Sequence, residues 1–387
     1  MSESLNTDHS RHHYLDGIRG IAAVMVVFCH FRLTFEENFE MRSQQWLLAC
    51  LHSELLANFL QAFINMLSNG PLAVFIFWFM SGYVISIRLF SPNANAYLLS
   101  AFSKRYFRLA IPATASVLIA YVLLRVGIIF NQQFFVPGQS NQWLHIFYDF
   151  NAHFFEAMKN GIWDTFFNYE EKSSYNASLW TMNQELYGSF LCFFLFAIFR
   201  KHSKRYFVYA AVLFVLFFQN NFSLITFLCG FILCDLDYSS NQKNAILVWL
   251  ENNLFNKWYI AVLLLLAVLF FAGKKTHVDM RDMLSSTCIV FVISRSAFIK
   301  QFLMAGIFRW FGKISFSLYL LHLPILCSST CFLYNYFEGY HFYKITMACT
   351  LSFAFMVCLA ALFARLVDEP AIRLSNKIGK FFSKTEA

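Results

Sequence analysis

Charged residues are scarce in this chain. Asp, Glu, Lys and Arg make up 13% of its 387 residues, against about 25% in a typical soluble domain. Hydrophobic residues account for 58%. A soluble protein of this length would need far more polar surface to cover its core. The shortage of charge therefore excludes a soluble protein and indicates one that is embedded in a lipid bilayer.

Further absences narrow the class. The net charge is +8, but Lys and Arg stand between apolar runs rather than in one patch, so no nucleic-acid partner is expected. None of the ten cysteines forms a C-x-x-C pair, so we expect neither a disulfide framework nor a metal site. Residues 1–14 lack the apolar region of a cleaved signal peptide, and no repeat of fixed period is present.

Apolar runs long enough to cross a bilayer, about 20 residues per helix, are abundant. They predict an all-α, polytopic membrane protein with about ten transmembrane helices. The predicted spans are 17–35, 70–90, 109–130, 184–199, 206–219, 222–236, 258–273, 283–299, 314–334 and 343–367. We expect an N-terminal tail over 1–14, a membrane domain over 15–370 and a C-terminal tail over 371–387.

Lys and Arg concentrate in every second connection between the predicted spans. By the positive-inside rule this pattern places both termini in the cytoplasm. Lys274, Lys275 and Arg281 depart from it, since they fall on the outer side. The long 131–183 segment also falls outside and is rich in aromatic residues. That composition favours a position at the membrane interface, with a lid or a sugar-binding surface as alternatives.

The first predicted span carries Asp16, Arg19 and His30. Charged residues inside a span are costly and mark function. Arg19 and His30 are 11 residues apart, which returns to nearly the same helix face after about three turns and roughly 16 Å. Asp16 lies one turn before Arg19 and can pair with it. The alternative for His30 alone is a satisfied core histidine, and Arg19 on the same face makes that alternative weaker.

Arg105 and Arg108 lie three residues apart at the cytoplasmic start of the third span, with Lys104 beside them. On a helix their guanidinium groups share a face and could bind phosphates bidentately. By itself this pattern favours the simpler alternative, a positive-inside anchor.

Glu185 is predicted at the outer start of the fourth span, within the segment SLWTMNQELY that also contains Trp180. A carboxylate there can cap the helix N-terminus. Alternatively it pairs with His30, which a carboxylate would orient and make more basic.

Ser315, Tyr319 and His322 share one face of the ninth span. They predict either a polar seam between helices or the lining of a cavity. The tenth span is followed by Asp368, Glu369 and Pro370, whose acids can pair with cytoplasmic arginines.

Taken in order, these segments resemble acyltransferase family 3 over nearly the whole chain. YLDGIRGIAAVMVVFCH is similar to the family's opening motif, in which Arg is followed after ten residues by His. RYFR, SLWTMNQELY, FGKISFSLYLLHLPI and DEPAIR resemble four later motifs in the same sequence order. In the second of these Thr181 replaces the usual Ser, and in the third Phe316 replaces the usual Tyr.

The resemblance implies ten helices and transfer of an acyl group, usually acetyl, from cytoplasmic acyl-CoA to a hydroxyl of an envelope glycan or glycolipid. We therefore expect a bacterial cytoplasmic-membrane O-acyltransferase of the surface-polysaccharide type, with acetyl-CoA as donor and no metal. A homodimer is left open.

The hypothesis assigns three roles. His30 is the general base or transient acyl carrier, with Glu185 orienting it and Arg19 holding the CoA arm or stabilising the oxyanion. The second role, binding of the CoA phosphates, is assigned to Arg105, Arg108 and Lys104. The remaining candidates line the substrate cavity: Asp16, Trp180, Ser315, Tyr319 and His322.

Two other classes remain as alternatives. A transporter or flippase for a lipid-linked glycan would also use ten helices, buried charges and an outer aromatic loop. It would have no need of an acyl donor, so binding of acetyl-CoA discriminates the two. A membrane sensor or scaffold has no need of an Arg and a His on one helix face.

Overall fold

The computed structural model describes residues 13–35, 48–90, 94–136, 143–238, 251–272 and 279–384, together with positions 45 and 249. These residues are helical or irregular and include no strand, which confirms the predicted all-α class. The longer helices are α1 His13–Thr34, α2 Glu54–Leu67, α3 Gly70–Ile87, α4 Ala94–Val126, α5 Met182–Phe199, α6 Arg205–Phe218, α7 Phe222–Tyr238, α8 Trp258–Ala272, α9 Met280–Arg295, α10 Ala297–Leu303, α11 Gly306–Ile325, α12 His341–Phe363 and α13 Glu369–Lys384.

Six described helices are long and apolar enough to cross a membrane, or seven if one bent pair counts as a span. The six are His13–Thr34, Gly70–Ile87, Tyr97–Val126, Ala177–Phe199, Gly306–Tyr336 and Phe342–Phe382. The protein is therefore a polytopic membrane protein. Nine of the ten predicted spans overlap a continuous helical segment, whereas 283–299 is divided between two helices. Of the nine, α6 and α8 are shorter apolar helices, and the count of ten stays a prediction.

The bent pair corrects the predicted span 283–299. α9 and α10 meet at Ser296, where the chain turns by 97°. Ser296 has extended backbone angles, and its hydroxyl accepts from the amide of Ile299 to begin α10. A serine that caps a new helix explains why one apolar run forms two helices. Near the start of α9, Arg281 forms an ion pair with Asp279 at 3.8 Å, whereas Lys274 and Lys275 lie outside the described residues.

α1 and α11 pack in backbone contact, and glycines make that possible. A Cβ on Gly312 would collide with the carbonyl oxygen of Asp16, and one on Gly20 would lie 2.7 Å from the carbonyl oxygen of Phe308. Small residues at a helix crossing let two membrane helices approach closely. This contact sets the polar face of α1, with Arg19 and His30, against the polar face of α11.

The segment between α4 and α5 does not stay at the surface. Tyr121 of α4 packs against Phe154, whereas Tyr106 donates a hydrogen bond to the carbonyl of Ile162 at 2.5 Å. These two positions on α4 are 15 residues apart, about 22 Å along the helix. The predicted position at the membrane interface therefore does not describe the whole of 131–183. Part of the segment runs alongside α4 and returns before α5 begins.

Buried amides hold this segment in place. The side-chain amide of Asn176 donates to the hydroxyl of Ser116 at 3.0 Å and to the carbonyl of Leu320 at 2.7 Å. Tyr169 donates to the carbonyl of Ala177 at 2.9 Å. Burial raises the pKa of the Tyr169 phenol, so it remains a protonated donor. The segment thus reaches α11 as well as α4.

α12 continues into α13 through a wide π-helical turn, Ala364–Asp368. α13 then packs along the first half of α4. Asp368 meets Arg108 at 2.5 Å, and Asn376 accepts from Nζ of Lys104 at 3.1 Å. The predicted C-terminal tail 371–387 therefore begins inside α13, whereas most of the predicted N-terminal tail 1–14 lies outside the described residues.

Candidate active site

A narrow cavity of about 140 Å³ lies between α1, α3, α4, α5 and α11. Its polar lining comes from all five helices, and apolar side chains such as Val74 and Leu109 complete the wall. The polar residues that line it are Arg19, Trp78, Ser81, Arg105, Arg108, Thr181, Glu185, Ser315 and Tyr319. Six of these residues were predicted from sequence to act together, and the structure brings them together: Arg19, Arg105, Arg108, Glu185, Ser315 and Tyr319.

Arginines dominate one end of the cavity. Arg105 forms an ion pair with Glu185 at 2.7 Å, and its Nε donates to Ser189 at 2.7 Å. Arg108 pairs with Asp368, as the sequence predicted for the acids after the tenth span. Arg19 pairs with Asp16 on its own helix, which was also predicted. Each of the three guanidinium groups thus has a carboxylate partner.

The predicted contact between Glu185 and His30 is not what the structure shows. One carboxylate oxygen of Glu185 accepts from Ser81 at 2.9 Å and the other from Arg105 at 2.7 Å. The prediction placed Glu185 at the outer face and Arg105 at the cytoplasmic face. The two are at the same depth, because the segment before α5 folds back along α4.

A hydroxyl cluster closes the other end of the cavity. Tyr319 donates to the carbonyl oxygen of Ser178 at 2.7 Å. Its single proton is thereby used, so Thr181, 2.8 Å away, donates to the Tyr319 oxygen. Ser315 donates to the carbonyl of Gly312 one turn below. Of the two alternatives for this helix face, the cavity lining holds for Ser315 and Tyr319.

Two histidines lie directly beyond Tyr319. The ring of His322 is 5.6 Å from the Tyr319 ring and 4.7 Å from the His30 ring, measured between centroids. His322 is completely buried. Both histidines lie outside the cavity wall described above, and Tyr319 separates them from it.

Backbone contacts fix the tautomers of both rings. Nδ1 of His30 lies 2.8 Å from the carbonyl oxygen of Val26, and Nδ1 of His322 lies 2.6 Å from that of Tyr319. A carbonyl oxygen only accepts, so each Nδ1 carries a proton and Nε2 is the basic nitrogen of the neutral ring. Nε2 of His322 has no hydrogen-bond partner among the described residues. Such nitrogens can take a proton from a hydroxyl or attack a carbonyl carbon.

We call this line of side chains the polar track. It runs from the arginine end of the cavity through the hydroxyl cluster to the paired histidines. Its members are Arg105, Arg108, Glu185, Thr181, Tyr319, His322 and His30.

Sequence reasoning missed two aromatic residues at this site. Trp143, from the segment after α4, packs on His30 with ring centroids 5.4 Å apart. Trp78 lines the cavity, is 1% exposed, and its indole N–H has no partner among the described residues. The predicted Trp180 packs edge-on against Trp78 at 5.7 Å but is not part of the lining. A tryptophan within an apolar run looks like ordinary core, so only the N–H without a partner reveals Trp78.

The fold and the site define a class: a polytopic helical membrane protein with a cation-lined cavity and, behind the Tyr319 side of its wall, two paired imidazoles. This combination is typical of an enzyme. The chain belongs to acyltransferase family 3. The family's model, described as an acyltransferase domain, matches residues 12–365. The match confirms the resemblance predicted from the motifs, and the protein is a membrane acyltransferase.

No curated protein and no solved structure was found to match the chain. The family match favours acyl transfer over the transporter and the sensor.

Proposed function

We propose that the protein transfers an acyl group, acetyl as first choice, from cytoplasmic acyl-CoA to a hydroxyl of an envelope glycan or glycolipid in a bacterial cytoplasmic membrane. The polar track is the observation that carries this proposal. Acyl-CoA combines anionic phosphates with a distant, uncharged thioester. The site likewise combines cations at one end with neutral nucleophilic groups at the other.

The spacing along α1 supports this match. Arg19 and His30 are 11 residues apart, roughly 16 Å along the helix. The pantetheine arm of CoA separates its pyrophosphate from the sulfur in the same way. We propose that the pyrophosphate faces the guanidinium groups of Arg19, Arg105 and Arg108. Each guanidinium group would then bind both the pyrophosphate and its own carboxylate partner, which is Asp16, Glu185 or Asp368 respectively.

The proposed chemistry uses Nε2 of His30. This nitrogen takes the proton of the acceptor hydroxyl while the hydroxyl oxygen attacks the thioester carbon. The C–S bond then breaks, and the CoA thiolate takes the proton back from His30. In a second version Nε2 attacks the thioester carbon, the C–S bond breaks and CoA leaves as the thiolate. The acceptor hydroxyl then displaces the imidazole from the acyl carbon, and the hydroxyl proton passes to the CoA thiolate. His322, 4.7 Å away between ring centroids, shields and orients this nitrogen in both versions.

The proposed role of Glu185 changes with the structure. It does not orient His30 but is the buried counter-charge that positions Arg105. We propose that Trp78 donates to a carbonyl or amide oxygen of the donor, since its side chain lines the cavity and its N–H has no partner among the described residues.

The test is transfer of radiolabelled acetyl from acetyl-CoA to the glycan or glycolipid fraction of membranes that contain the protein. We expect wild-type transfer and a loss of about 100-fold or more in His30→Ala, the range of a missing general base. His202→Ala is a matched control, because His202 is exposed and remote in sequence from the polar track. Full transfer by His30→Ala at normal protein levels would overturn the assignment.

A further inference from the structure

Two cations share one aromatic ring where α3 leads into α4. The guanidinium carbon of Arg88 lies 5.9 Å from the centre of the Tyr97 ring, and Nζ of Lys104 lies 5.3 Å from it. Attraction to the ring holds each cation in place. The two positive charges nevertheless repel each other, so an anion between them would be favourable.

The balance of charge at Lys104 distinguishes it from the arginines of the neighbouring cavity. Arg105 and Arg108 are neutralised by Glu185 and Asp368. Within the described part of the chain Lys104 has no carboxylate within ion-pair distance, and its polar partner is the neutral amide of Asn376 at 3.1 Å. The cavity therefore carries its own counter-charges, whereas Lys104 does not.

The position of the cluster extends the polar track away from the histidines. Lys104 directly precedes Arg105, and Tyr97 lies eight residues before Arg105, about 12 Å along α4. Arg105 is close enough to Tyr97 to interact with it electrostatically. The order is thus the paired histidines, then the arginines of the cavity, then the cluster of Arg88, Tyr97 and Lys104.

The phosphates of CoA follow the same order. The thioester is joined by pantetheine to the pyrophosphate, and the ribose 3′-phosphate lies beyond the pyrophosphate. We propose that Arg88, Tyr97 and Lys104 form the subsite for this 3′-phosphate, which rests on acyl-CoA being the donor. Arg88 and Lys104 contact the phosphate, and Tyr97 holds the two cations at the spacing the anion needs.

The test compares equilibrium binding of CoA and 3′-dephospho-CoA to the purified full-length protein in detergent. Wild type should bind CoA about tenfold or more tightly, the effect of one charge-assisted hydrogen bond or more. Lys104→Gln and Arg88→Gln should each bring the ratio of the two Kd values toward one. Lys104→Arg should retain the preference. Arg125→Gln is the control, since Arg125 is exposed and lies in the last turn of α4, at the opposite end of that helix from Tyr97.

Equal binding of CoA and 3′-dephospho-CoA by wild type would overturn the subsite and leave the proposed function standing. Variants that weaken the binding of CoA and of 3′-dephospho-CoA by the same factor would also overturn the subsite and leave the proposed function standing. A wild-type protein that binds neither ligand and transfers no acetyl group would remove the proposed function and the subsite together. Kinetics with acetyl-CoA and acetyl-3′-dephospho-CoA provide a second readout, in which the ratio of KM values should follow the ratio of Kd values.

Discussion

The two ends of the polar track handle charge in opposite ways. At the arginine end, Arg105 and Arg108 are paired with carboxylates from other helices. At the histidine end, His30 and His322 are held by carbonyl oxygens of their own helices. The arginine end is thus suited to exchange a carboxylate partner for the phosphate of a ligand. The histidine end keeps neutral bases in a fixed orientation. If the proposed function holds, the difference predicts that stability depends on the arginine end and chemistry on the histidine end.

The largest effect is expected from Arg105→Gln. It leaves the Glu185 carboxylate buried without its cation, and such a change costs about 3–5 kcal/mol. Unfolding of the purified protein in detergent measures the loss. Adding Glu185→Gln should recover much of it, because the uncompensated charge is then gone. If the single and double variants are equally stable, the ion pair does not stabilise the arginine end.

A smaller effect, on turnover, is expected at the histidine end. His322→Asn removes the ring that packs on His30. Because a displacement of about 1 Å at a reacting group can cost about 100-fold, we expect acyl transfer at saturating donor to fall by about that factor. Binding of CoA, which depends on the arginine end, should change far less than turnover. His202→Asn is the exposed control. A variant that loses CoA binding as strongly as turnover would erase the distinction between the two ends.

The smallest effect is expected between the two ends, at Trp78. The ring centroids of Trp78 and Phe75 are 5.1 Å apart. Trp78→Phe keeps an aromatic ring against Phe75 but removes the indole N–H. Loss of one hydrogen bond to the donor should weaken CoA binding by about tenfold or less. Trp180→Phe is the comparison, because Trp180 is 37% exposed and lies outside the cavity lining. Equal effects of the two substitutions would assign Trp78 to packing alone.

Part of this site follows from sequence because it depends on one helix at a time. The shared face of Arg19 and His30, and that of Ser315 and Tyr319, are consequences of helix geometry. The pairing of Asp16 with Arg19 follows from their three-residue spacing. The all-α membrane fold follows from apolar runs in the same way.

The remaining contacts depend on how helices meet, and no local pattern determines that. The approach of His322 to His30 needs α1 and α11 in backbone contact through Gly312. The pair of Glu185 and Arg105 needs the segment before α5 to run back along α4. Chain order alone placed that segment outside, because alternation of sides assumes that each connection stays at the surface.

The wide turn Ala364–Asp368 has a consequence for how this protein can vary. A π-helical turn accommodates an extra residue, and one residue changes the direction of every later side chain by about 100°. Deleting Leu366 would therefore rotate Asn376 away from Lys104 and uncouple α13 from α4, whereas many substitutions of Leu366 would leave that registration intact. The number of residues in this turn therefore matters more for the packing of α13 on α4 than the type of residue at position 366 does.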